Sequence, residues 1–212
     1  MFLEELLKTI KERRSVREFT PEKIDDEAIR TLIDAAGHAP SNTNRQAWKF
    51  IILKNDKIKA RIAIAVKKKI EKVKENIEDD ALRDLFVNYT KYLLFFEQAP
   101  VVIFALYKTA LPFVDHVYAR AGLKTRDKRD HSELISVSMA VQNLLLTAHA
   151  MGLGACCMTS PLIAVAEIKK ILDIRIPFEI AALIPIGKYE KEPEPVGRKK
   201  IDKIIEIVPP EL

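Results

Sequence analysis

The sequence is poor in the residues that build disulfide frameworks and metal sites. Its 212 residues include only two cysteines, Cys156 and Cys157, which are adjacent and fit neither a disulfide framework nor a zinc pattern. We expect both to be buried thiols. The four histidines have no paired ligand spacing, and lone histidines are more often structural than metal ligands. They are His38, His116, His131 and His149. The sequence therefore predicts no metal site.

Long hydrophobic runs are also missing. No run approaches the roughly 18 apolar residues that a membrane span needs. The N-terminal stretch MFLEELLKTIKERR is acidic early and amphipathic, unlike a signal peptide. We therefore expect a cytoplasmic protein with no membrane partner. With 48% hydrophobic and 31% charged residues, the chain can bury one core, and its length fits a single domain over residues 1–212.

Several common catalytic and nucleotide-binding motifs are absent. GLGACC at 152–157 begins like a dinucleotide fingerprint but lacks the third glycine and follows a predicted helix, where that motif must follow a strand. The sequence has neither a GxxxxGK[ST] phosphate loop nor a GxSxG elbow. Hydrolase and metalloenzyme functions therefore have little support.

Positive charge is present in moderate excess. The formal charge is +5 and the pI is near 9.1, which permits nucleic acid as a partner. The most basic stretch, KKKIEKVK at 67–74, carries Ile70 and Val73 at helical spacing, which favours the solvated face of an amphipathic helix. We therefore expect no nucleic-acid partner.

Hydrophobic periodicity predicts a mixture of helices and strands. A first helix ends near the arginines at 13–17, and a second begins after Asp25 as N-cap, with Ile24 and Ile29 spaced as a hydrophobic staple, and closes at Gly37. Buried strands are predicted at 48–54, 100–108 and 178–187, with two helices between the first two strands.

The middle and the end of the chain are predicted with less regular features. Residues 108–131 form a long polar connection of the kind used for lids or disordered segments. Ser132 caps a helix to Met151 that is apolar on nearly every side, so we expect it to be fully enclosed. GACCMT should be a strand, and Ser160 with Pro161 behind it an N-cap and N1 pair of a helix that runs to about Leu172.

Three polar clusters suit a bound anion, although each alone has a simpler explanation. ERRSVREF at 12–19 places three arginines around Ser15 at a helix exit, and a solvated basic face is the alternative. APSNTNRQAW at 39–48 holds short hydrogen-bonding side chains between Pro40 and a strand, and a polar turn is the alternative. The tail carries a second cationic cluster at 198–200.

In order along the chain, these segments resemble the FMN-dependent nitroreductase family. The resemblance rests on RRSVREF, APSNTNRQAW, SELISVSMAVQNLLLTAHAMG, GLGACCMTSP, IPIGKY and GRKKIDKII. It implies an α+β fold around a small, mostly antiparallel central sheet flanked by helices. It also implies an intertwined homodimer with one FMN in each of two interface sites, and an exchanged C-terminal arm, about residues 188–212, that packs on the partner protomer.

The resemblance also implies which residues bind the cofactor. Arg13, Arg14, Ser15 and Arg17 surround the phosphate and ribityl chain, and Arg198, helped by Lys199, closes on the phosphate. A partly buried dianion favours the bidentate geometry of arginine. The other subunit contributes residues that contact the ribityl chain and the edge of the flavin ring. These residues are Pro40, Ser41, Asn42 and Asn44. Ala47 stands where the family commonly has proline.

The segment CCMTSP matches the family strand end beside flavin N5. The resemblance assigns ring contacts to Cys157, Met158, Thr159 and Ser160, with the Ser160 hydroxyl or N–H as an N5 contact and Arg17 as positive charge near N1 and O2. In the iodotyrosine deiodinase branch of this family, the hydroxyl at the position that matches Ser160 is associated with one-electron flavin chemistry. No acid, base or nucleophile is identified, so the flavin carries the chemistry.

The implied activity is that of an FMN-dependent NAD(P)H oxidoreductase reducing nitroaromatic or quinone-like acceptors by ping-pong hydride transfer through N5. MTSPL and ELISVSM also resemble the iodotyrosine deiodinase branch, a reductive dehalogenase, whose lid carries a Glu, Tyr and Lys set. Residues 62–80 contain no tyrosine, which argues against amino-acid substrates. A non-catalytic flavin or nucleic-acid binding protein is the alternative from another class.

Overall fold

The computed structural model describes residues 2–109, 113–123 and 131–209. Four strands form one sheet, in the order β1-β2-β4-β3, and all neighbouring strands are antiparallel. The strands are β1 (Trp48–Leu53), β2 (Val101–Lys108), β3 (Gly154–Ala155) and β4 (Phe178–Gly187). The helices are α1 (Phe2–Glu12), α2 (Asp26–Gly37), α3 (Asp56–Glu75), α4 (Asp80–Thr90), α5 (Phe113–Arg120), α6 (Ser132–Ala150) and α7 (Val165–Ile171). The predicted α+β fold with a small antiparallel sheet is confirmed.

The sheet separates two hydrophobic layers. Strand β2 is buried at its first six positions, because its alternate side chains enter the layer on either face. On one face α2 and α6 pack, with Leu32 and Leu144 completely buried. On the other face α3 and α7 pack, with Ile62 and Ile168 completely buried. Strand β1 is left at one edge of the sheet.

The second helix begins as its sequence predicts. The Asp25 carboxylate accepts a hydrogen bond from the Ala28 N–H at 2.6 Å, and this capping satisfies one of the free donors of the first turn. Ile24 and Ile29 are both buried, consistent with the predicted staple. Helix α2 ends at Gly37.

The polar connection and the central helix differ from expectation. Within residues 108–131, Phe113–Arg120 is the helix α5, and 110–112 and 124–130 lie outside the described residues. Ser132 is the first residue of α6 rather than its cap, since the cap position is His131 and no side chain caps the helix there. The helix is not fully enclosed, because Ile135 is 57% exposed.

The segment after α6 is less regular than predicted. In GACCMT only Gly154–Ala155 is strand, and Met158 rejoins β4 through a single bridge to Leu183. Ser160–Ala164 is a 3-10 turn, and α7 starts only at Val165. Among the described helices none is both long and apolar enough to cross a bilayer.

Candidate functional site

The arginine segment lies directly against β3. The Val16 N–H donates a hydrogen bond to the Ala155 carbonyl at 3.1 Å, and Ser15 pairs with Ala155 in a parallel bridge. Gly154 makes this approach possible, since a Cβ there would stand 2.7 Å from Val16 Cγ1. A side chain at position 154 would therefore separate residues 13–17 from the strand.

The three arginines of this segment are used differently. Arg14 Nη1 donates to the Lys11 carbonyl at 2.7 Å and to the Arg13 carbonyl at 3.1 Å. Arg17 Nη1 donates to the Ser15 carbonyl at 3.2 Å. Arg13 Nε is buried and has no hydrogen-bond partner in the structure. A buried donor without a hydrogen-bond partner is energetically costly. An acceptor on a bound ligand would satisfy Arg13 Nε.

The two cysteines follow β3 and have different environments. Cys156 is buried as predicted, whereas Cys157 is exposed, so the expectation of two buried thiols is wrong for Cys157. Burial raises the pKa of the Cys156 thiol, and the Arg17 charge, a Ser15 hydrogen bond and the Arg13 charge act in the opposite direction. The pKa of Cys157 is also raised, chiefly by loss of solvation. Both are therefore neutral thiols near pH 7.

A cavity of about 300 Å³ opens beside these thiols. Its walls are formed by residues 156–160, Arg17, Tyr89, Tyr92 and Phe95. The rings of Tyr89 and Tyr92 have centroids 6.2 Å apart, and Arg17 Cζ lies 5.9 Å from the Tyr92 centroid. An aromatic wall with a cation at its edge suits a flat ligand.

The hydroxyl of Ser160 is oriented into this cavity. It shares a hydrogen bond with the Tyr89 hydroxyl and does not cap a helix. The predicted N-cap role of Ser160 is therefore wrong, because the chain passes through a 3-10 turn before α7 and leaves the hydroxyl free for Tyr89.

The sequence does not reveal the aromatic wall. The apolar spacing of Leu82, Leu85 and Tyr89 predicts a helix here, but α4 has no buried residue in the structure. The stretch 62–80, where a lid tyrosine is expected for amino-acid substrates, contains none and ends before Tyr89. The tyrosine pair with a lysine between it, at 89–92, is the signal that could have located this wall.

The second polar segment, Pro40–Gln46, is fixed to the start of α6. The Asn42 N–H donates to Ser136 Oγ and Asn42 Nδ2 to Ser132 Oγ, both at 3.2 Å. The Ser41 hydroxyl accepts from the Gln46 N–H at 3.0 Å. Three non-glycine residues, Thr43, Asn44 and Gln46, have positive φ of 48°, 54° and 46°, a strained backbone that often accompanies function.

An ion pair between an exposed arginine and a buried glutamate holds the same segment. Arg45 Nη1 lies 3.1 Å from Glu133 Oε1, and Glu133 is buried in the first turn of α6. The carboxylate also benefits from the positive end of the helix dipole. The strained segment is therefore held at one defined place on α6.

The structure brings some predicted site residues together and leaves others apart. One group lies beside residues 156–160, which follow the C-terminal end of α6, and it consists of Arg13, Arg14, Ser15 and Arg17. The other group, Pro40–Asn44, lies beside the N-terminal end of the same helix. A helix of 19 residues is about 28 Å long. Arg198 and Lys199 are exposed on the tail and make no hydrogen bond or ion pair to any described residue.

Comparison with known proteins finds a matching family and a similar curated protein. The model of the Nitroreductase family matches residues 10–188. A curated relative, an iodotyrosine deiodinase of Thermotoga neapolitana, is 26% identical over 186 residues, which are 87% of this chain and 88% of that protein.

Two solved structures have the same fold. A BluB-like flavoprotein of Clostridium difficile gives a TM-score of 0.84 at 25% identity and covers 96% of this chain and 98% of its own. A nitroreductase of Desulfitobacterium hafniense, solved with bound FMN, gives a TM-score of 0.71 at 22% identity with the same coverages.

Proposed function

Because this chain belongs to the nitroreductase family, we propose that it binds FMN and acts as an NAD(P)H-dependent oxidoreductase of nitroaromatic or quinone-like acceptors. The observation that carries this proposal is the juxtaposition of the arginine segment, the 157–160 segment and the aromatic cavity beside β3.

The residues present fit a flavin mononucleotide. Arg13 supplies a buried, unpartnered N–H, and Arg14, Ser15 and Arg17 supply further donors next to it, which is the chemistry that a phosphate requires. Met158 exchanges backbone hydrogen bonds with Leu183. These bonds fix the 157–160 segment against β4, and we propose that it contacts the edge of the flavin ring. We assign the phosphate to the arginine segment and the ring to 157–160.

When bound, the flavin supplies hydride transfer between NAD(P)H and the acceptor. The protein's own side chains bind and orient. Arg17 places a cation at the cavity, where it favours a ligand with negative charge in the ring. Tyr92 and Phe95 offer apolar faces on which a flat acceptor stacks and from which water is excluded.

We propose that the working unit is a homodimer, because one chain holds its two polar segments at opposite ends of α6. A second chain running the other way would set its Pro40–Asn44 segment beside the arginine segment of the first. The tail provides a second link. Four of its apolar residues are exposed, namely Ile204, Ile205, Ile207 and Val208.

A groove lies beside the open edge of the sheet. It measures about 990 Å³ and lies between α2 and β1, with Ile29, Ile33 and Ile52 among its apolar residues. Strand β1 has a free edge, which an added strand can cover. We propose that the arm, residues 188–212, occupies this groove on the partner, and that the partner's Arg198 then reaches the phosphate.

Reductive dehalogenation of an iodotyrosine-like substrate is a second candidate. Tyr89 and Tyr92 line the cavity, and Lys91 Nζ lies 5.1 Å from the Tyr92 ring centroid, although residues 62–80 lack tyrosine. In this reaction two electrons and a proton enter, a carbon–hydrogen bond replaces the carbon–iodine bond and iodide leaves. NAD(P)H is the source of the electrons.

Cofactor analysis and a panel of acceptors test the proposal. We expect the purified protein to release FMN rather than FAD, and to oxidise NADH or NADPH when a nitroaromatic or a quinone is added. A halogenated tyrosine that releases iodide, without turnover of the other acceptors, would favour the second candidate. A colourless protein that cannot be reconstituted with FMN would overturn both.

A further inference from the structure

A cationic groove lies between α3 and α7, away from the residues assigned to the flavin. It encloses about 490 Å³, a size typical of binding sites. Five cationic side chains and a single acidic one, Glu167, line it. The cations are Arg61, Lys68, Lys69, Lys72 and Lys170.

These cations differ from the neighbouring lysines of the same helix. Lys67 pairs with Glu97 at 3.2 Å and Lys74 pairs with Glu71 at 3.4 Å. Within the part of the chain that the structure describes, none of the five groove cations forms an ion pair or a hydrogen bond. The groove therefore concentrates uncompensated positive charge, which attracts a negative partner.

The floor of the groove is apolar. Ile64, Ala65 and Ile171 form it, and Ile64 is 50% exposed. Arg61 and Lys72, at the two ends, are three helical turns apart, or about 16 Å. The site is thus a long channel with charge along its length and hydrocarbon beneath.

This combination selects among anionic partners. Sites for single-stranded nucleic acid combine a cationic groove with stacking rings, and no aromatic side chain lines this groove. A fatty acid presents charge at one end only, and a concave channel does not fit a flat bilayer. A helix with apolar residues on one face and acidic residues beside them matches both the floor and the rims.

We propose that this α3–α7 groove binds an acidic amphipathic helix of a partner protein. Apolar residues of the partner, one turn apart, cover Ile64 and Ile171, and its carboxylates lie along Arg61, Lys68 and Lys72. The site is independent of the proposed flavin chemistry.

A fluorescein-labelled helical peptide, with leucines at i, i+4, i+7 and i+11 and glutamates beside them, tests the proposal by anisotropy with the FMN-loaded protein. The variant K68E/K69E/K72E and the variant Ile64→Ser should each weaken binding by about tenfold or more. The matched control is K23E/K57E/R120E, which changes the net charge equally at exposed positions elsewhere and should bind normally. FMN content confirms that each variant folds.

Several results would overturn the proposal. Equal weakening by both charge-reversal variants would mean that only net charge acts, and a normal Ile64→Ser would mean that the apolar floor is unused. Tighter binding of a shuffled peptide, of single-stranded DNA or of phosphatidylglycerol vesicles would assign the groove to another partner. Self-association beyond the dimer, lost in K68E/K69E/K72E, would assign it to a second copy of this chain.

Discussion

Among the arginines of residues 13–17, Arg13 is the one with a buried and unpartnered side-chain nitrogen. Arg14, in contrast, already donates to two carbonyls. Arg13→Ala should weaken FMN binding by about 2 to 4 kcal/mol, because it leaves the phosphate short of a charge-assisted partner. Arg198→Ala should have an effect of similar size from the partner's tail. Quenching of flavin fluorescence during titration of the apoprotein measures both.

Lys68→Ala is the control for these two variants. Lys68 is exposed on α3 and lines the separate cationic groove, so its removal should leave FMN affinity unchanged. Small and equal effects at all three positions would show that the arginines only form a solvated basic face.

The two adjacent thiols should respond differently to alkylation. Cys156 is buried and Cys157 is exposed, so iodoacetamide should modify Cys157 alone. Although Cys157 as a whole is exposed, loss of solvation around its thiol raises the pKa, and a raised thiol pKa means less thiolate at neutral pH. Modification should therefore be slow at pH 7 and accelerate beyond the usual thiol pKa of about 8.5.

Bound FMN should protect Cys157, since the proposed ring position adjoins 157–160. Mass spectrometry of the alkylated protein, with and without FMN, measures this protection. Rapid modification at pH 7, or an equal rate with and without FMN, would contradict the assigned environment or the assigned ring position.

At the level of secondary-structure elements, the contact between the arginine segment and β3 depends on Gly154. Gly154→Ala should place a methyl group 2.7 Å from Val16 Cγ1, and such overpacking costs about 1 to 3 kcal/mol. Because Val16 is flanked by Ser15 and Arg17, FMN affinity should fall together with stability. Thermal unfolding of the holoprotein and FMN titration measure the two effects.

Gly37→Ala is the matched control. Gly37 ends α2, and no atom lies within 4 Å of the position a Cβ would take. Alanine also favours helix over glycine, so stability should stay equal or rise slightly and FMN affinity should not change. A normal FMN affinity in Gly154→Ala would show that the segment does not need β3 to bind phosphate.

Local signals predict those elements whose ends are fixed by local chemistry. Asp25 caps α2, and the buried run at 178–187 becomes β4 with the same ends. GACCMT and Ser160 are predicted wrongly because their conformation depends on distant residues: Leu183 pairs with Met158, and Tyr89 takes the Ser160 hydroxyl. Spacing alone does not report such contacts.

The candidate site likewise contains residues that the sequence predicts and residues that it does not. The arginine segment is visible in the sequence because its charge is concentrated in a few positions. The Tyr89 and Tyr92 wall is not, since a helix that covers a cavity has the same apolar spacing as one that covers a core. The fixation of Asn42 by Ser132 and Ser136 likewise joins residues that are far apart in sequence.

For the whole molecule, exposed apolar surface is the main evidence for a partner chain. Apolar residues of α1, including Phe2, Leu3 and Leu6, are 50% exposed or more, and the tail exposes Ile204, Ile207 and Val208. Exposed apolar patches are common at protein–protein interfaces. These apolar tail residues are exposed on their own chain, which agrees with the proposed packing of the arm on a partner.

The tail therefore provides the sharpest test of the dimer. Ile204→Glu with Ile207→Glu, at positions 64% and 80% exposed, should not unfold one chain but should put charge into the proposed groove beside β1, which is costly without a partner. Light scattering after gel filtration should show dissociation of the dimer and loss of FMN, because the partner's Arg198 leaves with the arm. Leu82→Glu with Leu85→Glu, at positions 54% and 68% exposed on α4, makes the same chemical change outside the arm and should leave the dimer intact. If the tail variant remains a dimer with full FMN, the arm does not hold the partner, and the two polar segments must be brought together by α1 and α6 alone.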